Sequence, residues 1–354
     1  MMSLAEFWFA LVGVLFLGYF VLEGFDFGVG MLMPFLGRAK DGVSGDTRRR
    51  VMLNTIGPVW DGNEVWLITG GGALFAAFPA WYATMFSTFY LPLLLILVGL
   101  ITRVVSIEWR GKIDDPRWRR WADVGIGLGS WLPAILWGVA FANLVRGLPI
   151  DGEEQFTGNI LDLLSPYALL GGAATALLFI THGAVFLALK TGGDMQRESM
   201  RTAAWLAVPT TIVAAVWGVW TQLAYGKGWT WAALAVAAVA VVAATALAWM
   251  RREGWAFVAT CFAIFGVVVL ILGSMFPNVI PSTTDPAFNM TIEGSASSHH
   301  TLVVITWAAA FITPVVLAYQ GWTYWVFRQR ISTSQIPPSI GLALRERKPA
   351  EAPR

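Results

Sequence analysis

Two short stretches hold carboxylates inside otherwise apolar runs. The first is Glu23-Gly24-Phe25-Asp26-Phe27-Gly28-Val29-Gly30. The second is Gly57-Pro58-Val59-Trp60-Asp61-Gly62-Asn63-Glu64-Val65-Trp66. A charged side chain at bilayer depth costs about 2.5–3.5 kcal/mol on insertion scales, so each asks for a reason. Glu23 and Asp26 are three residues apart, as are Asp61 and Glu64, so each pair shares a helix face. Two carboxylates on one face can relay a proton or hold a cation. Each stretch also has a structural reading. Glu23 and Asp26 fit the interfacial polar end of an overlong helix. Asp61 or Asn63 fits the N-cap of a helix that follows a re-entrant segment. Gly24 and Gly28 form a GxxxG pair that admits another backbone closely. Pro58 loosens the chain ahead of Asp61. Arg103 lies near the end of a later apolar run and reads as snorkelling to the interface. Pairing with one of the buried carboxylates is its alternative.

The remaining chemistry-bearing residues are few. Of three histidines, His182 is mid-span and reads first as a packing or hydrogen-bonding residue, with haem ligation, a quinone contact or proton relay as alternatives. His299 and His300 open the last span. A bis-histidine haem needs two histidines at depth, and only one is there. The single cysteine, Cys261, makes neither an internal disulfide nor a cysteine metal site. Gly70-Gly71-Gly72 reads as a packing surface. Gly125-x-Gly127-x-Gly129 resembles half a dinucleotide fingerprint but lies in an apolar run with no strand before it.

These residues need elements that can place them in a bilayer. Of 354 residues 56% are hydrophobic and only 13% charged, against about 25% charged in a soluble domain. So few charges cannot coat a water-exposed surface, which predicts an all-α polytopic membrane protein and excludes a soluble enzyme or a disulfide scaffold. A net charge of +2 gives no reason to expect nucleic-acid binding. Nine apolar runs are long enough to span: Leu4–Leu36, Val51–Phe78, Trp81–Ile107, Asp123–Val145, Ser165–Leu189, Met200–Leu223, Trp229–Met250, Trp255–Met275 and His299–Phe327. Arginine and lysine concentrate in alternate loops, after the first, third, fifth, seventh and ninth spans. The positive-inside rule then sets the N-terminus outside and the C-terminus in the cytoplasm. Residues 276–298 form an outer loop, and the tail 328–354, with Pro337, Pro338, Pro349 and Pro353 among charges, reads as poorly ordered.

From Trp60 onward, Trp60-Asp61-Gly62-Asn63-Glu64-Val65-Trp66-Leu67-Ile68-Thr69, continuing Gly71-Gly72-Ala73-Leu74-Phe75-Ala76-Ala77-Phe78-Pro79, resembles the signature of subunit II of the cytochrome bd quinol oxidases. Glu23 to Leu32 resembles that family's first-helix motif, and Arg103 with Trp109-Arg110-Gly111-Lys112 also fits. The resemblance implies two four-helix bundles, 1–145 and 146–275, and one extra helix, 299–327, after the outer loop. It implies a bacterial cytoplasmic-membrane complex that oxidises quinol and reduces oxygen to water. The two b-type haems and haem d belong to a partner subunit I, with small single-span subunits as further candidate partners. This chain would hold no metal or haem and no catalytic residue of its own, and some members bind a structural quinone. The family's proton path matches Asp61 most directly, with Asp26, Arg103 and Glu64 beside it. Glu23, Trp60 and Asn63 are expected to be structural or to meet subunit I. A secondary transporter using the carboxylates is the rival reading. Pro58 and Gly62, however, have no counterpart in the second half of the chain.

Overall fold

The computed structural model describes residues 2–337 and 341–342. Pro338, Arg345, Arg347, Lys348, Pro349, Pro353 and Arg354 of the tail lie outside the described residues. The helices in chain order are α1 (Leu4–Leu36), α2 (Gly45–Ile56), α3 (Trp60–Ala77), α4 (Pro79–Thr88), α5 (Tyr90–Trp109) and α6 (Pro116–Arg146). They continue with α7 (Pro166–Lys190), α8 (Gly193–Ala224), α9 (Thr230–Trp249), α10 (Glu253–Met275), α11 (Ile292–Ser295) and α12 (His299–Val326). Among the described residues eight of these are long and apolar enough to cross a membrane: α1, α5, α6, α7, α8, α9, α10 and α12. In hydrocarbon every backbone N–H and C=O needs an internal partner, which the helix supplies. α3 carries Asp61 and Glu64, yet its 18 residues extend about 27 Å, close to the hydrocarbon thickness. It makes the ninth bilayer-length helix.

Two expected spans are broken, each for an identifiable reason. The run 51–78 divides because α2, with Arg48, Arg49 and Arg50, is polar and stops at Ile56. The turn Gly57-Pro58-Val59 then leads into α3. The run 81–107 divides at Phe89 into α4 and α5. Pro92 has no N–H to give the Thr88 carbonyl four residues back, so one continuous helix is disfavoured there. α6 and α8 begin seven residues earlier than their apolar cores, as polar turns at Pro116 and Gly193 extend them.

α1, α3, α5 and α6 pack as one set of four helices, and α7 to α10 as another. α1 also crosses α7, so the two sets share an interface. Glycine makes that crossing tight. A Cβ at Gly28 would sit 2.1 Å from the Phe179 carbonyl oxygen and 2.7 Å from Gly183 Cα, and one at Gly24 would meet the Phe179 ring at 2.8 Å. The GxxxG expectation therefore holds, with α7 as the approaching helix. α12 stands outside both sets and touches α3 and α1. Leu302 is its one fully buried residue. The glycines of α6 serve packing as well: a Cβ at Gly129 would lie 2.4 Å from the Gly99 carbonyl oxygen on α5. Of the triplet in α3, Gly70 faces Leu15 and Phe16 of α1, whereas Gly71 and Gly72 face open space. The packing expectation applies to Gly70 alone.

The end of the molecule where α1 finishes is tied by ion pairs. Arg110 meets Asp123 at 2.6 Å and Asp46 at 2.9 Å, and Arg48 and Lys40 both pair with Glu198 on α8. The Glu198 carboxylate holds the Lys40 ammonium above its usual range. The described part of the tail is docked, contrary to the expectation of poor order. Ile331 N–H donates to the Lys190 carbonyl at 2.9 Å, Arg50 Nη1 donates to the Pro337 carbonyl at 2.7 Å, and Leu342 pairs with Lys112. At the opposite end the segment 276–298 folds into a short antiparallel pair, β1 (Asn278–Ile280) with β2 (Met290–Thr291), and α11. Ser297 closes it onto α3 through the Ala76 and Ala77 carbonyls at 2.7 and 2.8 Å.

Candidate functional site

Four helices bring charged or hydrogen-bonding side chains to one buried place. α1 supplies Glu23 and Asp26, α5 supplies Arg103, α3 supplies Asn63 and Glu64, and α12 supplies Gln320 and Tyr324. Arg103 is 0% exposed and so are Glu23, Asp26 and Asn63. Arg103 Nη1 pairs with Glu23 Oε1 and also reaches Glu64 Oε1 at 3.2 Å. Its guanidinium lies 5.0 Å from the centre of the Phe27 ring, a cation–π distance. The snorkelling reading of Arg103 is thus overturned. The helix that carries it packs through Gly99 and Gly129 against α6, which leaves the side chain facing α1 and α3 instead of the interface.

Asp26 is reached through Asn63. Asn63 Nδ2 donates to Asp26 Oδ2 at 2.6 Å. Its Oδ1 accepts from the Tyr324 hydroxyl at 2.8 Å and weakly from Gln320 Nε2 at 3.4 Å. Trp66 Nε1 in turn donates to Gln320 Oε1 at 2.9 Å. Several polar atoms stay buried without a hydrogen-bond partner among the described residues, including Glu23 Oε2, Asp26 Oδ1 and Arg103 Nε and Nη2. Leaving such atoms unpaired costs about 1–3 kcal/mol each.

The sequence-derived candidates divide. Glu23, Asp26, Asn63, Glu64 and Arg103 come together. Asp61 does not join them: it is exposed on the first turn of α3 and takes no part in the Arg103 cluster. The expectation of a buried Asp61 beside Arg103 is corrected. So is its reading as an N-cap, since Val59 holds that place and makes no side-chain cap. Asp61 and Glu64 straddle one edge of α3, with Glu64 half-buried and turned to Arg103. Trp60 is buried within the chain itself, at 8% exposure, so it offers little surface to a partner. Gln320 and Tyr324 were not among the sequence candidates. Two hydrogen-bonding side chains four apart in an apolar span were their available signal.

His182 lies apart from this cluster. Its Nε2 is 2.9 Å from the Val21 carbonyl, its Nδ1 is 2.7 Å from Thr260 Oγ1, and its ring stacks on Phe257 at 4.7 Å. A carbonyl only accepts, so Nε2 carries the proton and Nδ1 accepts from the threonine hydroxyl. Both nitrogens are engaged in bridging α1 to α10, which fits the packing and hydrogen-bonding reading and leaves no free lone pair for iron. His182, as placed, therefore does not fit haem ligation. Among the described residues no group of three metal-ligating side chains converges either.

The face of α3 that bears Asp61 also bears Gly62, Val65 and Ile68, all exposed. Beside it, α3, α4 and α5 enclose an apolar cleft of about 610 Å³ lined by residues such as Ile68, Phe75, Tyr90 and Leu97.

Comparison with known proteins agrees over nearly the whole length. A family model described as cytochrome bd terminal oxidase subunit II matches residues 4–327. The chain is 40% identical over 337 residues to the cytochrome bd ubiquinol oxidase subunit 2 of Bacillus subtilis (strain 168), covering 94% of this chain and 98% of that one. It is 38% identical to the cytochrome bd-I ubiquinol oxidase subunit 2 of Escherichia coli (strain K12), covering 93% of this chain and 95% of that one. The fold is similar to a chain of the bd oxidase from Geobacillus thermodenitrificans, with a TM-score of 0.71 at 18% identity. That likeness covers 92% of this chain and 99% of that one.

Proposed function

This chain belongs to the cytochrome bd terminal oxidase subunit II family, and from that premise we propose that it carries protons for oxygen reduction in a complex whose haems sit in subunit I. Membership displaces the transporter alternative. The chain is an integral inner-membrane protein and a subunit of a quinol-oxidising complex. The loop charges orient the N-terminus outside, which sets the α2 side in the cytoplasm. Asp61 then opens on the cytoplasmic half, where water formation must draw its protons.

The observation that carries the reading is the Arg103 cluster, because it joins half-buried Glu64, three residues after the exposed Asp61, to fully buried acids. Asp61 takes a proton at the unpartnered face of α3. Glu64 stands between it and the interior. Glu23 and Asp26 are the inner acceptors, and Arg103 keeps the set from accumulating like charge. A relay works when each member can gain and lose its proton near the working pH, and several carboxylates sharing one guanidinium favour that balance. Haem supplies the electron and oxygen chemistry within subunit I, and no step of it runs through a residue of this chain. We read the exposed α3 and α5 faces as the contact with subunit I, with quinol bound in the complex.

The test is a reduced-minus-oxidised visible spectrum of the complex purified with its native partners, beside the chain expressed alone. Haem b and haem d bands in the complex only are expected. Bands in the lone chain would mean that it ligates haem itself. No haem in either sample would sink the oxidase reading.

His182→Phe provides a separate check. It removes two buried hydrogen bonds, at about 0.5–1.5 kcal/mol each, while the Thr260 hydroxyl turns to the Phe257 carbonyl at 2.7 Å and the Val21 carbonyl keeps its helical partner in α1. The expected outcome is a lower thermal midpoint of the solubilised complex with its visible spectrum unchanged. A lost haem band would return His182 to the list of ligands.

A further inference from the structure

Asn63 is an amide with one accepting end and one donating end, and turning it by half a revolution exchanges them at almost no steric cost. Its orientation therefore has to be imposed. The Tyr324 hydroxyl can donate or accept, but its proton has no other acceptor among the described residues; it donates to Oδ1 at 2.8 Å, which turns Nδ2 to Asp26 Oδ2 at 2.6 Å. Leu22 carbonyl is a distant second acceptor for Nδ2 at 3.5 Å, and Gln320 a distant second donor to Oδ1 at 3.4 Å. Trp66 Nε1 donates to Gln320 Oε1 at 2.9 Å and so keeps Gln320 Nε2 as a donor that favours the same orientation weakly, while the phenol makes the shorter bond.

We propose that Tyr324 of α12 is a positioning residue for Asp26, acting through Asn63, and that it holds Asp26 ready to accept a proton. With the donor end presented, an ionised Asp26 has a partner. With the amide reversed, Oδ1 would face the carboxylate and only a protonated Asp26 could bond to it, so the proton would be retained instead of passed on. α12 is otherwise sparsely held, with Leu302 its one buried residue. A second polar link, Trp8 Nε1 to Thr306 Oγ1 at 2.9 Å, lies nearer its start. The position of α12 against α3 thus reaches the buried acid through one amide. This inference rests on the proton-path reading above.

The experiment compares Tyr324→Phe, Thr306→Val and Asp26→Asn in the purified complex. Each is read by haem content, quinol-dependent oxygen consumption and its solvent deuterium isotope effect. Tyr324→Phe is expected to assemble with a normal spectrum, to turn over about tenfold more slowly, as small misplacements of a reacting group do, and to show a larger isotope effect. Thr306→Val breaks the Trp8–Thr306 bond of α12, which has no tie to Asn63 or its partners, so its rate and isotope effect stay at wild type. Equal losses in Tyr324→Phe and Thr306→Val would mean that both merely anchor α12, and the inference fails. So does it if Tyr324→Phe fails to assemble, since a hydroxyl that only orients Asn63 is not needed for folding. If Asp26→Asn loses turnover while Tyr324→Phe keeps a normal rate and isotope effect, the inference falls and the path reading stands. If Asp26→Asn turns over normally, the inner end of the path reading falls and the inference with it.

Discussion

Replacing Arg103 by leucine removes the folded chain, and with it the complex, from the membrane. One guanidinium nitrogen serves both Glu23 and Glu64, and the side chain is fully buried among α1, α3 and α5. Leucine keeps the volume and strands both carboxylates. Breaking one buried pair costs about 3–5 kcal/mol through the charge left behind. Two stranded acids approach the whole stability of an ordinary domain, about 5–15 kcal/mol. Arg103→Lys keeps the charge but not the fork that reaches two partners, so accumulation is reduced and not abolished. The sign of the argument can be checked independently. If the cost lies in stranded charge, adding Glu23→Gln to Arg103→Leu should recover part of the lost material, although each change alone is harmful. Size-exclusion profiles of the co-expressed complex read this directly. Normal accumulation of Arg103→Leu would show that packing alone holds these three helices, and that the cluster is dispensable for assembly.

Much of this arrangement was legible in the sequence because membrane insertion penalises buried charge so heavily. Glu23, Asp26, Glu64 and Arg103 stood out as costs that needed a reason, and the structure gives them a common one. Span positions were legible for the same reason, since an apolar run of about 20 residues has few alternatives in a bilayer. Less legible was what depends on the angle of one helix to another. Three-residue spacing gave Asp61 and Glu64 a shared face, but α3 meets α1 along an edge that divides them. Only the tertiary contact turns Glu64 inward and leaves Asp61 out. Arg103 could not be assigned from hydropathy either. Snorkelling and pairing are equally available to an arginine near a helix end, and the close approach of α6 through Gly129 decides between them. Tyr324 and Gln320 escaped notice because neither carries a charge. Their significance comes from Asn63, 261 positions from Tyr324 in the chain, and no local pattern encodes so distant a partner. The division at Phe89 was in principle readable from Pro92, whose missing N–H lies within an otherwise unbroken apolar run.

The second large effect falls on Asp61, and its character is opposite to that of Arg103. Asp61→Asn is expected to assemble, to retain its haem spectrum, and to lose most quinol oxidase turnover. The carboxylate is exposed on the first turn of α3 and has no part in the Arg103 cluster. Removing its charge forfeits its interaction with the helix N-terminus, about 0.3–1 kcal/mol, and relieves its repulsion with Glu64 three residues on. Asparagine keeps the shape and the hydrogen-bonding capacity but cannot take up and release a proton. Positioned proton carriers contribute about 10²–10⁴-fold to the rates they serve, so a loss of at least tenfold is the expected reading if Asp61 is the entry. The electron side gives the control: reduction of the haems by quinol under anaerobic conditions should proceed at the wild-type rate, with the deficit confined to oxygen consumption. Glu64→Gln separates the two kinds of residue on one helix. It removes a partner of Arg103 as well as a proton site, so it should lower both accumulation and turnover, whereas Asp61→Asn lowers turnover alone. Normal turnover in Asp61→Asn would remove Asp61 from any obligatory path. Loss of assembly would transfer its role to the contact that the exposed face of α3 makes with subunit I. A selective loss of turnover would leave the buried carboxylates behind Glu64 as the route by which protons leave the water.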